Sequence, residues 1–312
     1  MIYTVTLNPA LDHTVFLDTL HPGAVNRAGS ERLDPGGKGI NVSVILHRLG
    51  MPSVALGFRA GATGAMLEEL IQGLGCTAEL IAVPGMTRVN TKLKADAETD
   101  INCPGPEIPP EAFGRLLGCL DRLQDGDALV LAGSVPPSAP ADIYAQMLAR
   151  TGGRRVLTVV DAEGPLLRHT LPYRPFLIKP NREELEMLFG RKLTGLREIE
   201  SCAEQLQRAG ARNVIVSLGA EGAFLLAEDG ARMHLPVPPG RTVNAVGAGD
   251  SMVAGFLYRY QQTGDCREAF RFSVCCGSAT AFQPGLAERS QIFQLASTYF
   301  PGPYKWPDFS QR

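Results

Sequence analysis

Short apolar runs of about five residues alternate with longer stretches in which apolar side chains recur every three to four positions. The first pattern reads as buried strands and the second as amphipathic helices. Strands are predicted at 2–7, 54–58, 128–133, 156–161, 176–179 and 214–218, and a hairpin over 223–237. Helices are predicted at 38–49, 64–74, 140–150, 181–189, 198–209, 249–263 and 266–282. The alternation predicts an α/β fold with a mainly parallel central sheet and helices on both faces.

Two segments, 12–34 and 86–103, break this alternation. Both are extended and alternately polar, with no helix between them and their partners. They predict a small second sheet, inserted rather than appended. The Pro-rich stretch from 300 to 312 has no periodicity. The expected organisation is therefore one domain over 1–300, followed by a tail at 301–312.

Composition narrows the function. The hydrophobic fraction is 45% and the charged fraction 20%, which excludes a disordered chain. Lys+Arg is 30 and Asp+Glu 32, for a net charge of −2. Such a balance carries no footprint for nucleic acid or an anionic membrane, so an anionic ligand must be held by local groups. Seven cysteines show no zinc-ligand spacing, and no run of 18 apolar residues exists. The chain opens directly on a strand-like run without a leader pattern, so a cytoplasmic protein is expected. Glycine is over-represented, at 34 of 312 residues.

Those glycines concentrate chemistry in two places. The stretch TVNAVGAGDSMVAGF at 242–256 puts Gly247, Ala248 and Gly249 between a strand-like run and an apolar helix. A glycine turn at a helix N-terminus presents unpaired N–H groups and the positive end of the dipole, which suits an anion. Asp250 follows in the first turn, where a carboxylate could take a proton from a hydroxyl attacking phosphorus. The same residues also fit a tight turn with an ordinary helix cap. The stretch DPGGKGIN at 34–41 is a second glycine turn entering a helix. Lys38 and Asn41 lie about one turn apart there and can face one cleft, although a solvated lysine and plain turn chemistry also fit. Asp12 follows the first strand, where α/β proteins gather ligands. Two other phosphate motifs fail: no GxxxxGK[ST] occurs, and Met252 takes the third glycine position of GxGxxG.

Together these stretches resemble the two signatures of the PfkB/ribokinase family of carbohydrate kinases, GGKGIN at 36–41 and VGAGDSMVAGF at 246–256. Gly133-Ser134, KPNREEL at 179–185 and SLGAEG at 217–222 fit as well, and the likeness covers roughly residues 1–295. TLNPALD at 6–12, GAVNR at 23–27, TRVNTKL at 87–93 and GPEI at 105–108 are most similar to its 1-phosphofructokinase and tagatose-6-phosphate kinase branch.

The resemblance implies a three-layer αβα ribokinase-like fold whose inserted segments form a β-lid over the sugar. It implies transfer of the γ-phosphoryl group of ATP, with Mg²⁺, to the 6-hydroxyl of fructose 1-phosphate. Tagatose 6-phosphate or fructose 6-phosphate is the alternative acceptor, and a nucleoside kinase or a non-catalytic sensor is a more distant reading. Asp250 would be the base and Gly247, Ala248 and Gly249 the anion hole. Asp12, Gly37, Asn41 and Ser134 would hold the sugar. Arg88, with Lys38 and Arg27, would face its existing phosphate. Lys179, Asn181, Ser217, Gly219 and Gly222 would lie along ATP, and Glu184 would reach Mg²⁺ through water. Asn181 to Glu184 equally fit a plain helix start. A homodimer through the lid is also implied. Two positions depart from the family pattern: Ser138 replaces a glycine after the 128–133 strand, and Ser278 stands where asparagine is frequent.

Overall fold

A computed structural model describes residues 1–300. The predicted tail at 301–312 lies outside the described residues. In chain order the strands are β1 (Ile2–Thr6), β2 (Ala10–Phe16), β3 (Ser30–Gly36), β4 (Ser53–Ala60), β5 (Thr77–Val83), β6 (Arg88–Lys94), β7 (Glu98–Ile101), β8 (Ala128–Ala132), β9 (Leu157–Asp161), β10 (Leu177–Ile178), β11 (Asn213–Ser217), β12 (Ala223–Leu226) and β13 (Arg232–Leu235). The helices are α1 (Lys38–Arg48), α2 (Gly61–Gly73), α3 (Pro110–Cys119), α4 (Ile143–Arg150), α5 (Gly164–Thr170), α6 (Arg182–Phe189), α7 (Leu196–Arg208), α8 (Ala248–Thr263), α9 (Cys266–Ala281) and α10 (Arg289–Tyr299).

The large sheet has the order β13-β12-β11-β10-β9-β8-β1-β4-β5. Its seven strands from β11 to β5 are parallel, and β12 and β13 close one edge antiparallel. Alternation within each strand divides the core between two layers. In β8, Leu129 and Leu131 join one apolar cluster, with residues of α3 to α7. Ala128, Val130 and Ala132 join the other, with α1, α8, α9 and α10. Burying each of these leucines is worth roughly 2 kcal/mol. The expected three-layer αβα arrangement is present.

The local reasons are legible in single elements. Helix α7 buries Ile199, Cys202, Ala203 and Leu206, one stripe at helical spacing. Helix α6 starts at a capping box, and α8 ends at the left-handed Gly264. Elements β5, α3, α5 and α10 add to the predicted set. Helix α3 begins with Pro110, tolerated because a first-turn N–H has no intrahelical acceptor. The predicted helix at 140–150 starts only at Ile143.

The inserted segments form a second sheet of order β3-β2-β6-β7, with β2 and β6 parallel. Residues 17–29, expected to be extended with the rest of 12–34, instead connect β2 to β3. Leu11, with Leu33 and Val89 beside it, packs on Ile40 and Val44 of α1 and on Leu67 and Ile71 of α2. Their neighbours Asp12, Arg88 and Asn90 alternate with them and line the cavity described below. The small sheet is thus anchored by one set of side chains and turns the other toward the cavity. All seven cysteines are free thiols. No helix among the described residues is long and apolar enough to cross a membrane.

Candidate active site

A cavity of about 1390 Å³ opens at the carboxyl ends of β1, β8, β9, β10 and β11, with the small sheet along one side. A single small-molecule pocket takes roughly 300–1,000 Å³, so two ligands have room. Strand β1 lies between β8 and β4, where the winding of the sheet reverses direction, and ligands of open α/β sheets collect at that point.

Helix α8 aims its N-terminus into this cavity. Gly247 caps it at φ 79°, a left-handed conformation that glycine adopts without strain. The Ser251 hydroxyl donates to the Gly247 carbonyl at 2.8 Å and lies 2.8 Å from the Thr280 hydroxyl, which pins the turn. The Ala248 amide is used by the loop, donating to Ala245 O at 3.2 Å. The next two amides, of Gly249 and Asp250, belong to the first turn and have no acceptor within the helix. A side-chain Cβ at Gly249 would stand 2.9 Å from the Lys179 ammonium, so this lysine lies directly beside the helix end.

Asp250 is buried, and its Oδ2 accepts from Asn41 Nδ2 at 2.7 Å. Burial, then the nearby Asp161 carboxylate, push its pKa up to about 6; the Asn41 bond and the lysines Lys179 and Lys38 pull the other way. A carboxylate at that value suits a general base working near neutrality.

Asp161, the last residue of β9, is the anionic centre of the floor. It takes Lys38 Nζ on one oxygen and Lys179 Nζ on the other, each at 3.1 Å. Burial alone would raise its pKa; Lys179 and Lys38 outweigh that and hold the carboxyl below the usual range. Burial works against the charge on Lys38, yet Asp161, Glu184 and Asp250 together raise its pKa. At the start of α6, Asn181 Oδ1 accepts from the Glu184 amide at 2.7 Å, and Glu184 Oε2 accepts from the Asn181 amide at 2.8 Å. The other Glu184 oxygen takes Lys38 Nζ at 3.4 Å. Among the described residues no group of three or more His, Cys, Asp or Glu could hold a metal unaided.

On the lid, Asp12 Oδ1 accepts from Asn90 Nδ2 at 3.1 Å and Oδ2 from Lys92 Nζ at 2.9 Å. Arg88 gives Nε and Nη2 to Asn8 O, at 3.1 and 2.8 Å, and Nη1 to Cys103 O at 3.2 Å. Burial lowers its pKa.

The cavity gathers every residue expected from the sequence except Arg27. Asp12, Gly37, Lys38, Asn41, Arg88 and Ser134 line it with Lys179, Asn181, Glu184, Ser217, Gly219, Gly222 and the 247–250 turn. Arg27 lies exposed in the 17–29 connection. Lys38, expected toward the substrate's phosphate, gives its ammonium to Asp161 and Glu184. Asn41, expected on the sugar, holds the Asp250 carboxylate. The helix start at 181–184 is a true capping box and also lines the cavity, so neither earlier reading of it excludes the other.

Sequence reasoning passed over Asp161, Asn90 and Lys92. A signal existed for each. Asp161 is the acid that ends the apolar run LTVVD. In RVNTKLK, strand alternation alone puts Arg88, Asn90 and Lys92 on one face.

A profile of pfkB family carbohydrate kinases matches residues 5–292. The 1-phosphofructokinase of Bacillus subtilis is 41% identical over 295 residues, covering 95% of this chain and 97% of the relative. A D-tagatose-1-phosphate kinase of Bacillus licheniformis is 35% identical, covering 95% of this chain and 98% of the relative. Among solved structures, phosphofructokinase-2 from Escherichia coli in complex with fructose-6-phosphate superposes with a TM-score of 0.88 at 27% identity, over 95% of this chain and 98% of the other.

Proposed function

The chain belongs to the pfkB family of carbohydrate kinases, phosphotransferases with an alcohol group as acceptor, and from that premise we propose that it phosphorylates fructose 1-phosphate at the 6-hydroxyl, using ATP. The observation that carries this reading is the joint placement of Asp250 and the Asp12–Arg88 face of the lid on one cavity. One end holds a base beside an anion-receptive helix terminus. The other holds a cation and hydroxyl acceptors suited to a sugar phosphate.

Asp250 takes the proton of the attacking hydroxyl. The amides of Gly249 and Asp250 and the dipole of α8 stabilise charge on the transferring phosphoryl group. Lys179, beside Gly249, neutralises the nucleotide phosphates. Ser217, Gly219 and Gly222 border the same part of the cavity, and Val237, Pro238 and Phe282 give it an apolar wall for a base. Glu184 would hold Mg²⁺ arriving with ATP through a water, and the ion would supply positive charge to offset the phosphates. The expected homodimer would form through the small sheet, where Phe16 is 40% and Ile101 52% exposed on opposite faces.

Initial rates with MgATP and fructose 1-phosphate, tagatose 6-phosphate or fructose 6-phosphate test the assignment. The reading expects fructose 1-phosphate to give the highest kcat/KM; a lower value than either rival refutes it. The likeness to a D-tagatose-1-phosphate kinase supports a tagatose phosphate as second acceptor.

A further inference from the structure

Five cations line the cavity, and their partners sort them. Lys38 and Lys179 are held by Asp161, and Arg182 by Glu221 at 2.7 Å. Arg88 and Lys92 remain on the lid. They lie on the same face of β6, two residues apart along each step, so about 13 Å separates their backbone positions. Their attachments differ in kind. Arg88 is fixed by three bonds to the backbone carbonyls of Asn8 and Cys103. Lys92 is tied only to a side chain, Asp12, through a flexible four-carbon stem that curls back from its register partner Thr14.

Asp12 is itself tightly placed. A Cβ at Gly36 on the adjoining strand would lie 2.7 Å from its Cγ, so the carboxylate rests against bare backbone. With Asn90 on one oxygen and Lys92 on the other, both of its acceptor atoms are occupied while no sugar is present. Each oxygen keeps a further lone pair, yet it accepts a sugar hydroxyl more strongly once a donor that offsets its charge has moved away. Asn90 is buried and also accepts from the Cys103 amide at 3.3 Å, which leaves Lys92 as the group that can move.

We infer that Lys92 is the residue that selects phosphorylated sugars: it leaves Asp12 for the phosphate of the substrate, and so frees Asp12 to accept the sugar hydroxyls. A phosphate dianion offers Lys92 twice the charge of the carboxylate it gives up, whereas a free sugar offers none. A free ketohexose therefore meets an Asp12 whose charge Lys92 offsets, and a phosphorylated one draws that lysine away. The inference rests on the sugar-phosphate reading above but not on which ester is used.

The test is the ratio of kcat/KM for fructose 1-phosphate to that for fructose, in wild type, Lys92→Met and Lys92→Arg. Loss of one charge-assisted bond corresponds to roughly 10- to 100-fold. The Met variant is expected to lower the ratio 10-fold or more, through KM for the ester. The Arg variant should recover most of the ratio. A purely structural role would lower both substrates together and leave the ratio within 10-fold of wild type, which overturns the inference. Lys92→Gln, still able to donate to Asp12, serves if the Met variant does not fold. If tagatose 6-phosphate or fructose 6-phosphate is the better wild-type substrate, the fructose 1-phosphate assignment fails while the same ratio, taken with that ester, still decides. A wild type that prefers fructose to all three esters overturns the inference as well.

Discussion

Asn41 Nδ2 lies 2.7 Å from Asp250 Oδ2, across 209 positions of sequence, and joins the first turn of α1 to the first turn of α8. The two glycine signatures thus meet in one hydrogen bond. The bond favours the charged carboxylate and so holds down a pKa that burial pushes up to about 6. Activity needs the unprotonated base, so kcat/KM should fall about tenfold per pH unit below that value. Asn41→Ala removes the restraint, and the acid limb should move up by about one pH unit. A pH profile with an unmoved limb would show that Asn41 does not tune the base.

Replacing the base should separate activity from stability. Asp250→Asn is expected to lower kcat by roughly 10²–10⁴-fold while ATP still binds. It should also stabilise the fold at neutral pH. The carboxyl has a higher pKa folded than unfolded, so between about 4 and 6 the folded state holds a proton that the unfolded chain has lost, and stability declines as pH rises through that window. A shift of about two units corresponds to about 3 kcal/mol, or a few degrees in Tm. Thermal melts at pH 7.5 and pH 4.5 check the sign: the variant's advantage should shrink at the lower pH.

Asp161→Asn should have the opposite effect on stability. It leaves Lys38 and Lys179 facing each other without the carboxylate that both now share at 3.1 Å. Removing one member of a buried charge group costs about 3–5 kcal/mol. The expected result is a Tm lowered by about 5 °C; an unchanged Tm would mean that the lysines find other partners.

Gly247→Ala probes the anion site through backbone alone. The position has φ 79°, and a Cβ there would lie 2.5 Å from Leu286 Cδ2. The left-handed conformation costs a non-glycine residue about 1–2 kcal/mol. Turning the first amides of α8 even slightly away from the transferring phosphoryl group should lower kcat at least tenfold with a smaller change in KM. Equal kcat in variant and wild type would argue against these amides as the charge-stabilising group.

The layered fold was largely legible because its signals are periodic. The whole apolar run of β8 and the stripe of α7 each state their burial directly. The glycine turns around Lys38 and Asp250 were legible as places where backbone meets ligand. Direction was not: spacing put Lys38 and Asn41 on one cleft, but only the packing of α1 against β1, β8 and α8 brings them to Asp161 and Asp250. Arg27 shows the reverse limit, since its motif resembled a binding element while its own chain leaves it exposed. The Asp12–Lys92 pair depends on the parallel register of β2 and β6, a pairing that a single sequence does not state.

The ion pairs that line the cavity also bear on how ligands arrive. Lys38, Lys92, Lys179 and Arg182 each already face a carboxylate, and the whole chain carries a net charge of −2. Paired charges cancel beyond a few ångströms, so the mouth of the site projects little attraction into solution. Encounter with anionic substrates is then governed by ordinary diffusion, and selectivity arises from exchange of partners on contact. Association rates should therefore depend only weakly on ionic strength, unlike those of enzymes that draw phosphorylated ligands in with an open field of positive charge.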